Sequence, residues 1–428
     1  MWAFPWVPSR LLQPSQRLLA AGLGLIGFGL LLRFPVKYAL GTPFLMDYNV
    51  YRFAAELLRT GQGHLLYEVA YGEGMLFRYA PIWAVIWSPL GYLSTHAGAV
   101  LWGVSSVLWV VISLWCAARI ALRLGFPLPV WAPIMALGLL SRPLLEEFGN
   151  GQADLWWLGV TSLFLWFELT DRPQRAALCL ALSIALKLTS VVFLPYLFLK
   201  GRPQRAWQAL GWLAVVLIAG AVAADPTHPP NVLLGAWANS LAHWQPQLSF
   251  RIGDQSLLAC LSRFLTADGY GLNLLSLSRG HVLALTLMVE LMLFGVVLWP
   301  LRSTDGSVRR FLLDAGMLMI FMVFASPSGW LSTYTVLLLP LTVAIGATSA
   351  WLTRRPRDIG TWALMLAIGG FSVTMRNKFW QAIGIRYWHT EAYVYLVFMI
   401  APLFALSLFG LLWRLRRNLA SSTDQALP

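Results

Sequence analysis

The sequence predicts an all-α polytopic membrane protein with about twelve transmembrane helices and external juxtamembrane helices, on three observations. Of its 428 residues, 58% are hydrophobic and only 11% charged, with a mean hydropathy of +0.66. A single water-soluble core of this size does not tolerate that balance, so the bilayer is the solvent. Apolar runs recur from end to end, separated by short basic clusters. The 22 Trp and 13 Tyr fit the headgroup region, and such rings also serve as platforms for sugars.

A net charge of +13 in a soluble protein points to nucleic acid; here the charge is a topology signal. The segments Met1 to Arg17, Arg119 to Phe126, Asp171 to Arg175, Lys200 to Arg205, Arg302 to Arg310, Thr353 to Asp358 and the tail from Arg414 hold 18 of the 31 Lys and Arg. The positive-inside rule makes them cytoplasmic. Both termini are then cytoplasmic, in a multi-pass plasma (inner) membrane protein that contacts membrane lipids and no nucleic acid. Arg10 and Arg17 precede an apolar stretch with no small-residue cleavage site behind it, which predicts a retained first helix. Cys116, Cys179 and Cys260 show no metal-ligand or redox spacing.

Between the basic segments, helices are expected at Leu18 to Leu32, Ala97 to Ala118, Pro129 to Leu145, Leu155 to Leu169, Ala176 to Leu186, Leu188 to Leu199 and Ala206 to Ala224. Five more follow at Val282 to Leu301, Phe311 to Ala325, Leu331 to Leu352, Thr361 to Val373 and Ala392 to Trp413. The fifth and sixth are half-length, because Arg175 and Lys200 both read as cytoplasmic. They meet near Lys187, which puts an ammonium group deep in the membrane. Irregular backbone at that depth must be buried in protein or line a cavity. The whole chain, 1–428, reads as one integral membrane domain with a first external loop at 33–96 and a second at 225–281.

In the first loop, Val50, Phe53, Ala54, Leu57 and Leu58 share one helical face and Arg52, Glu56 and Arg59 the other, predicting an amphipathic helix on the membrane surface. Gly61 and Gly63 end it. The run Ile82 to Leu93 is expected to be half-inserted, since a full crossing would put Arg119 and Arg123 outside. Asp47 stands just before the surface helix. It is either an N-cap or a carboxylate that takes a proton from an acceptor hydroxyl at the membrane surface.

Five motifs follow in order: Asp47 soon after the first helix, Phe77-Arg78-Tyr79-Ala80-Pro81 before Ser88-Pro89-Leu90, Gly151-Gln152, Lys187, and Asp254-Gln255-Ser256-Leu257. Together they resemble the GT-C superfamily of glycosyltransferases, specifically family 87, the polyprenol-phosphate-mannose-dependent mannosyltransferases. The resemblance covers most of the chain up to about Tyr334. It implies the GT-C fold, a sugar donor carried on polyprenyl phosphate, a glycolipid or glycan acceptor, catalysis on the extracytoplasmic face and inverting single displacement with Asp47 as general base. It implies no cofactor and no essential metal ion.

An oxocarbenium-like transition state leaves negative charge on the departing phosphate, which cations stabilise. Lys187, Arg78, Arg251 and Arg263 are the candidates. An intramembrane Lys defaults to function, the alternatives being snorkelling or pairing with Glu146 or Glu147. Substrate contacts are expected from Tyr48, Arg52, Tyr79, Asn150, Gln152, Gln255 and Trp330. Asp154 is a possible second carboxylate, and Asp254 a possible helix cap. His228 and His243, with Trp237 and Trp244, read as loop or interfacial residues. Glu290 and Asp314 pair with Arg302, Arg309 or Arg310, or else belong to a proton path. The chain departs from the family pattern at Ser326-Pro327-Ser328-Gly329-Trp330-Leu331-Ser332-Thr333-Tyr334, which leaves another sugar or acceptor open. The alternative from a different class is a lipid or solute transporter, since transporters also use half-helices and intramembrane charges.

Overall fold

A computed structural model describes residues 29, 31–41, 45–72, 74–126, 128–243, 254–267, 274–299, 308–326, 329–382, 384 and 391–422. These residues are almost entirely helical, and the chain is an all-α polytopic membrane protein. The expected first helix, Leu18 to Leu32, and Arg251, Arg302 and Trp244 lie largely or wholly outside the described residues.

One compact unit comprises residues 28–112 and 146–245. Helical residues 31–40, of which 33–40 fall in the expected external loop, begin it. There follow α1 (Met46–Arg59), α2 (Pro81–Trp87) with a 3-10 turn at Ser88–Tyr92, and the first part of α3 (Thr95–Arg123). The unit continues with the end of α4 (Ser141–Asn150), α5 (Asp154–Leu169), α6 (Pro173–Leu186), a 3-10 turn at Leu188–Val192, α7 (Phe193–Leu199), α8 (Pro203–Ala224) and α9 (Pro230–His243).

The helix α1 forms where the amphipathic pattern predicts it, and protein covers much of its apolar face, with Phe53 and Leu58 half-buried. Tyr48, Val50, Tyr51, Ala54, Ala55 and Leu57 are buried. Gly91 of the 3-10 turn lies so close to α1 that a Cβ there would sit 2.7 Å from the Ala55 carbonyl oxygen. The segment after Pro81 is a seven-residue helix and a turn, too short to cross a bilayer. Its start packs on α8, where a Cβ on Gly220 would meet the Ile82 backbone at 2.5 Å.

The half-helices around Lys187 form as expected. Lys187 is extended, at φ −139 and ψ 116, and caps the C-terminus of α6. A buried hydroxyl network holds the break: Trp157 Nε1 donates to Ser190 Oγ at 2.7 Å, Ser190 and Ser183 hydroxyls lie 2.7 Å apart, and Thr161 joins Ser183 at 2.8 Å. These bonds give polar groups partners where water is excluded. At the cationic ends, Glu168 pairs with Arg202 at 3.2 Å and Asp171 with Arg205 at 2.5 Å.

The other unit comprises residues 1–27, 113–145 and 246–428. Its described helices, besides the remainder of α3 and the first residues of α4, are α10 (Trp131–Leu139), α11 (Leu257–Leu265), α12 (Arg279–Leu298), α13 (Val308–Phe324), α14 (Leu338–Arg354), α15 (Ile359–Thr374), α16 (Asn377–Ala382) and α17 (Glu391–Ser422). The single helix expected over Pro129 to Leu145 is broken at Leu140. Pro143 is the reason: it has no N–H for the Leu139 carbonyl, and its ring clashes with that carbonyl in a continuous helix. Asp314 accepts from Arg416 of α17 at 2.7 Å, with both side chains buried, while the side chains of its expected partners, Arg302, Arg309 and Arg310, lie outside the described residues. Asp358 caps α15 and binds Arg414 at 2.5 Å.

Five helices among the described residues are long and apolar enough to span: Thr95–Arg123, Pro203–Ala224, Arg279–Leu298, Leu331–Arg354 and Met399–Arg417, counting the 3-10 turn at Leu331–Leu337 with α14. Four shorter apolar helices, including the two that meet at Lys187, accompany them.

Candidate active site

Asp47 does not cap α1. The N-cap is Leu45, with no side-chain capping bond, and Asp47 sits in the first turn, where the exposed amide ends favour a carboxylate. Its partner comes from the α4–α5 connection. Gly151 adopts φ +68, open to glycine, and a Cβ there would lie 2.7 Å from Tyr48 Cβ. This close approach of turn to helix lets Gln152 hydrogen-bond the Asp47 carboxylate. Tyr48 itself is fully buried, its ring wedged between Gly151 and Gly98 and its hydroxyl 3.4 Å from the Thr95 carbonyl. Its observed contacts are packing contacts.

Burial pushes the pKa of Asp47 up to about 6, and Asp154 adds to the rise, while Gln152, Lys187 and Arg78 oppose it. The result is a carboxylate suited to accept a proton near neutral pH. Lys187 donates to Asp154 Oδ1, and its Nζ lies 4.9 Å from the centre of the Trp157 ring. Asp154 is therefore a direct partner of Lys187. Glu147 Oε1 accepts from the Leu155 amide at 3.0 Å, holding the first turn of α5. Burial first, and the Asp154 charge second, hold the Glu147 carboxyl well above its usual range.

The Phe77 to Pro81 motif is tied into the same unit along its backbone. Trp237 Nε1 donates to the Arg78 carbonyl at 3.0 Å, Tyr67 to the Tyr79 carbonyl at 2.7 Å, and the Ala80 amide to the Ala185 carbonyl at 3.1 Å. The last bond fixes the motif to the turn just before Lys187. Tyr79 and Tyr51 hydroxyls meet at 3.0 Å, and burial holds both phenols above their ordinary range, as neutral donors and acceptors. Arg52 pairs with Glu56 at 3.6 Å along α1. Asn150 ends α4, half-buried.

In the other unit, Asp254 does not cap α11; Ser256 does, accepting from the Ala259 amide at 3.1 Å. Asp254 Oδ1 instead accepts from the Ser256 amide at 2.8 Å and the Gly329 amide at 3.0 Å. The Gln255 amide donates to the Gly329 carbonyl at 2.6 Å, and Tyr334 donates to the Gln255 carbonyl at 2.8 Å. Asp254 and Gln255 are thus tied to Gly329 and Tyr334, with Trp330 between these two in sequence and half-buried. Arg263 is 1% exposed and donates to the Asp254 carbonyl, so its guanidinium closes this loop rather than facing outward. Ser332 and Thr333, just before Tyr334, are buried.

The sequence motifs thus gather Asp47, Arg78, Gln152, Asp154 and Lys187 in one unit. Pattern reading missed the Trp157, Thr161, Ser183 and Ser190 network. Ser183 and Ser190, four residues before and three after Lys187, were its available signal.

The model of glycosyltransferase family 87 matches residues 77–327, more than half of the chain. The polyprenol-phosphate-mannose-dependent alpha-(1-2)-phosphatidylinositol mannoside mannosyltransferase of Mycobacterium tuberculosis (strain ATCC 25618 / H37Rv) is 26% identical over 415 residues, covering 91% of this chain and 88% of the relative. A protein of the same description from Mycolicibacterium smegmatis (strain ATCC 700084 / mc(2)155) is 23% identical over 408 residues, covering 88% and 82%. The all-helical membrane fold and a family match over more than half of the chain agree: this chain belongs to glycosyltransferase family 87.

Proposed function

We propose that this glycosyltransferase moves mannose from a polyprenyl-phosphate donor to a glycolipid acceptor of the phosphatidylinositol mannoside kind, on the extracytoplasmic face. The donor and acceptor follow the descriptions of the two mycobacterial relatives. The observation that carries the mechanism is Asp47: a carboxylate with a pKa of about 6, oriented by Gln152 and flanked by Lys187 and Arg78.

In this reading Asp47 takes the proton of the acceptor hydroxyl as its oxygen attacks the anomeric carbon. The bond to the lipid phosphate breaks in the same displacement, with inversion. Lys187 donates to Asp154 Oδ1, and in this reading the ammonium so held stabilises the charge that grows on the departing phosphate. Arg78 adds charge from the Phe77 to Pro81 motif. Asp154 and Trp157 hold the half-buried ammonium in place. Family membership favours transfer over transport, which the half-helices alone did not separate.

The test supplies purified protein with radiolabelled polyprenyl-phosphate mannose and a phosphatidylinositol mannoside acceptor, comparing wild type with Asp47→Asn. Equal transfer by the two proteins would overturn the assignment of Asp47. Transfer by wild type from a nucleotide sugar but not from the lipid donor would overturn the donor.

A further inference from the structure

The turn after α1 and the loop after α8 meet at three side chains that the transfer reaction does not use. His64, Asp225 and His228 each offer one metal-ligating atom, and these atoms all lie within 4.8 Å of one another. All three belong to the same compact unit. Asp225 is buried at the C-cap of α8, whereas His64 and His228 are exposed at the rim.

The backbone brings these residues together independently of their side chains. Gly63 packs so tightly on the end of α8 that a Cβ there would lie 1.8 Å from the Ala224 carbonyl oxygen. His64 is therefore anchored next to Asp225 by contacts that owe nothing to its imidazole. Asp225 Oδ1 accepts from the Thr227 amide at 3.1 Å and the Thr227 hydroxyl at 2.6 Å, which fixes the carboxylate. Its Oδ2 lies 2.8 Å from His228 Nδ1. The two imidazoles face one another with ring centres 5.5 Å apart.

We propose that His64, Asp225 and His228 form a binding site for a divalent transition-metal ion of the zinc class, clamping the turn after α1 to the end of α8. Two imidazoles and one carboxylate are a common zinc donor set, with water completing the tetrahedron. Donor atoms around such an ion are roughly 3.3 Å apart, from bonds of about 2.0–2.1 Å. Small rotations of the two exposed histidines close the gap. At His228 the ion replaces the hydrogen bond to Asp225, and the imidazole proton moves to the other ring nitrogen, so no net proton is released from neutral histidines. Thr227 remains as the outer partner that holds Asp225 in place. The role is structural: the ion pins the far end of the helix that carries Asp47. The described cysteines are all buried, so they do not compete for an added metal.

The experiment uses the full chain without an affinity tag, in detergent, titrated with Zn2+ against a competing chelator. One ion per chain is expected, with affinity falling in acid, where protons compete with the ion for its ligands. His64→Ala and His228→Ala are each expected to weaken binding at least tenfold, and His96→Ala to leave it unchanged. Co2+ should give the visible bands of a tetrahedral site in wild type and not in His64→Ala. Thermal unfolding should rise with Zn2+ in wild type alone. His64 is exposed, so its variant keeps the fold even where the His228 variant fails, and it decides the matter alone. No stoichiometric uptake by wild type, or equal uptake by His64→Ala, would overturn the proposal.

Discussion

Asp47 and Glu147 are two carboxyls given different tasks by their surroundings. Asp47 is partly accessible, meets Gln152 and has Lys187 and Arg78 near it, so burial lifts its pKa only to about 6. A general base works deprotonated. The transfer rate should therefore fall about tenfold per pH unit below 6 and level off above it, a profile measured with the lipid donor between pH 4.5 and 8. Asp47→Asn should lower the rate by about 10²–10⁴-fold and abolish that limb. Glu147 is buried with one oxygen on the Leu155 amide, and burial first, then the Asp154 charge, raises its carboxyl well above the usual range. Glutamine keeps an oxygen that can accept from the Leu155 amide and matches the uncharged form that burial favours, so Glu147→Gln should keep transfer within about threefold, a cost under about 1 kcal/mol. A loss as large as that of Asp47→Asn would assign Glu147 a direct role.

Among the elements, the α4–α5 connection decides whether Asp47 has its partner. Gly151 stands at φ +68 against Tyr48 Cβ. Gly151→Ala combines a disfavoured backbone with a steric conflict, at a cost of about 1–3 kcal/mol, and should pull Gln152 from Asp47. Transfer by that variant should drop while Gly149→Ala, whose added Cβ meets nothing within 4 Å, stays near wild type. Parallel rates and melting curves for the two variants would detach the turn from catalysis. The α6–α7 break was legible because Arg175 and Lys200 both demanded the cytoplasmic side. The α10–α4 break at Leu140 was equally within reach through Pro143, but the run looked continuous by hydropathy alone. The partner of Asp314 was beyond reach, since Arg416 lies 102 positions away.

For the whole molecule, the alternation of basic clusters predicts which loops face which side. Single cysteines at exposed Gln62 and Arg357 test it in a chain whose own cysteines are buried. With sealed right-side-out vesicles and an impermeant maleimide, Gln62→Cys should label at once and Arg357→Cys only after permeabilisation. The reverse pattern would invert the orientation and move Asp47 to the cytoplasmic side. The short pairs of helices meeting at Lys187 fit a protein in which irregular backbone at depth is enclosed by its own side chains.

By itself the sequence determined the membrane class, the helix-rich fold, the likeness to family 87 and the residues worth watching, because hydropathy, charge alternation and short motifs are local signals. Only the tertiary structure decided the pairings: Gln152 with Asp47, Asp154 with Lys187, Arg263 with the Asp254 carbonyl, and His64 with Asp225 and His228. Each joins residues separated along the chain, often across glycines whose missing side chains permit the approach. A close approach between distant segments depends on the packing of everything between them, and that information is not local to any stretch of sequence.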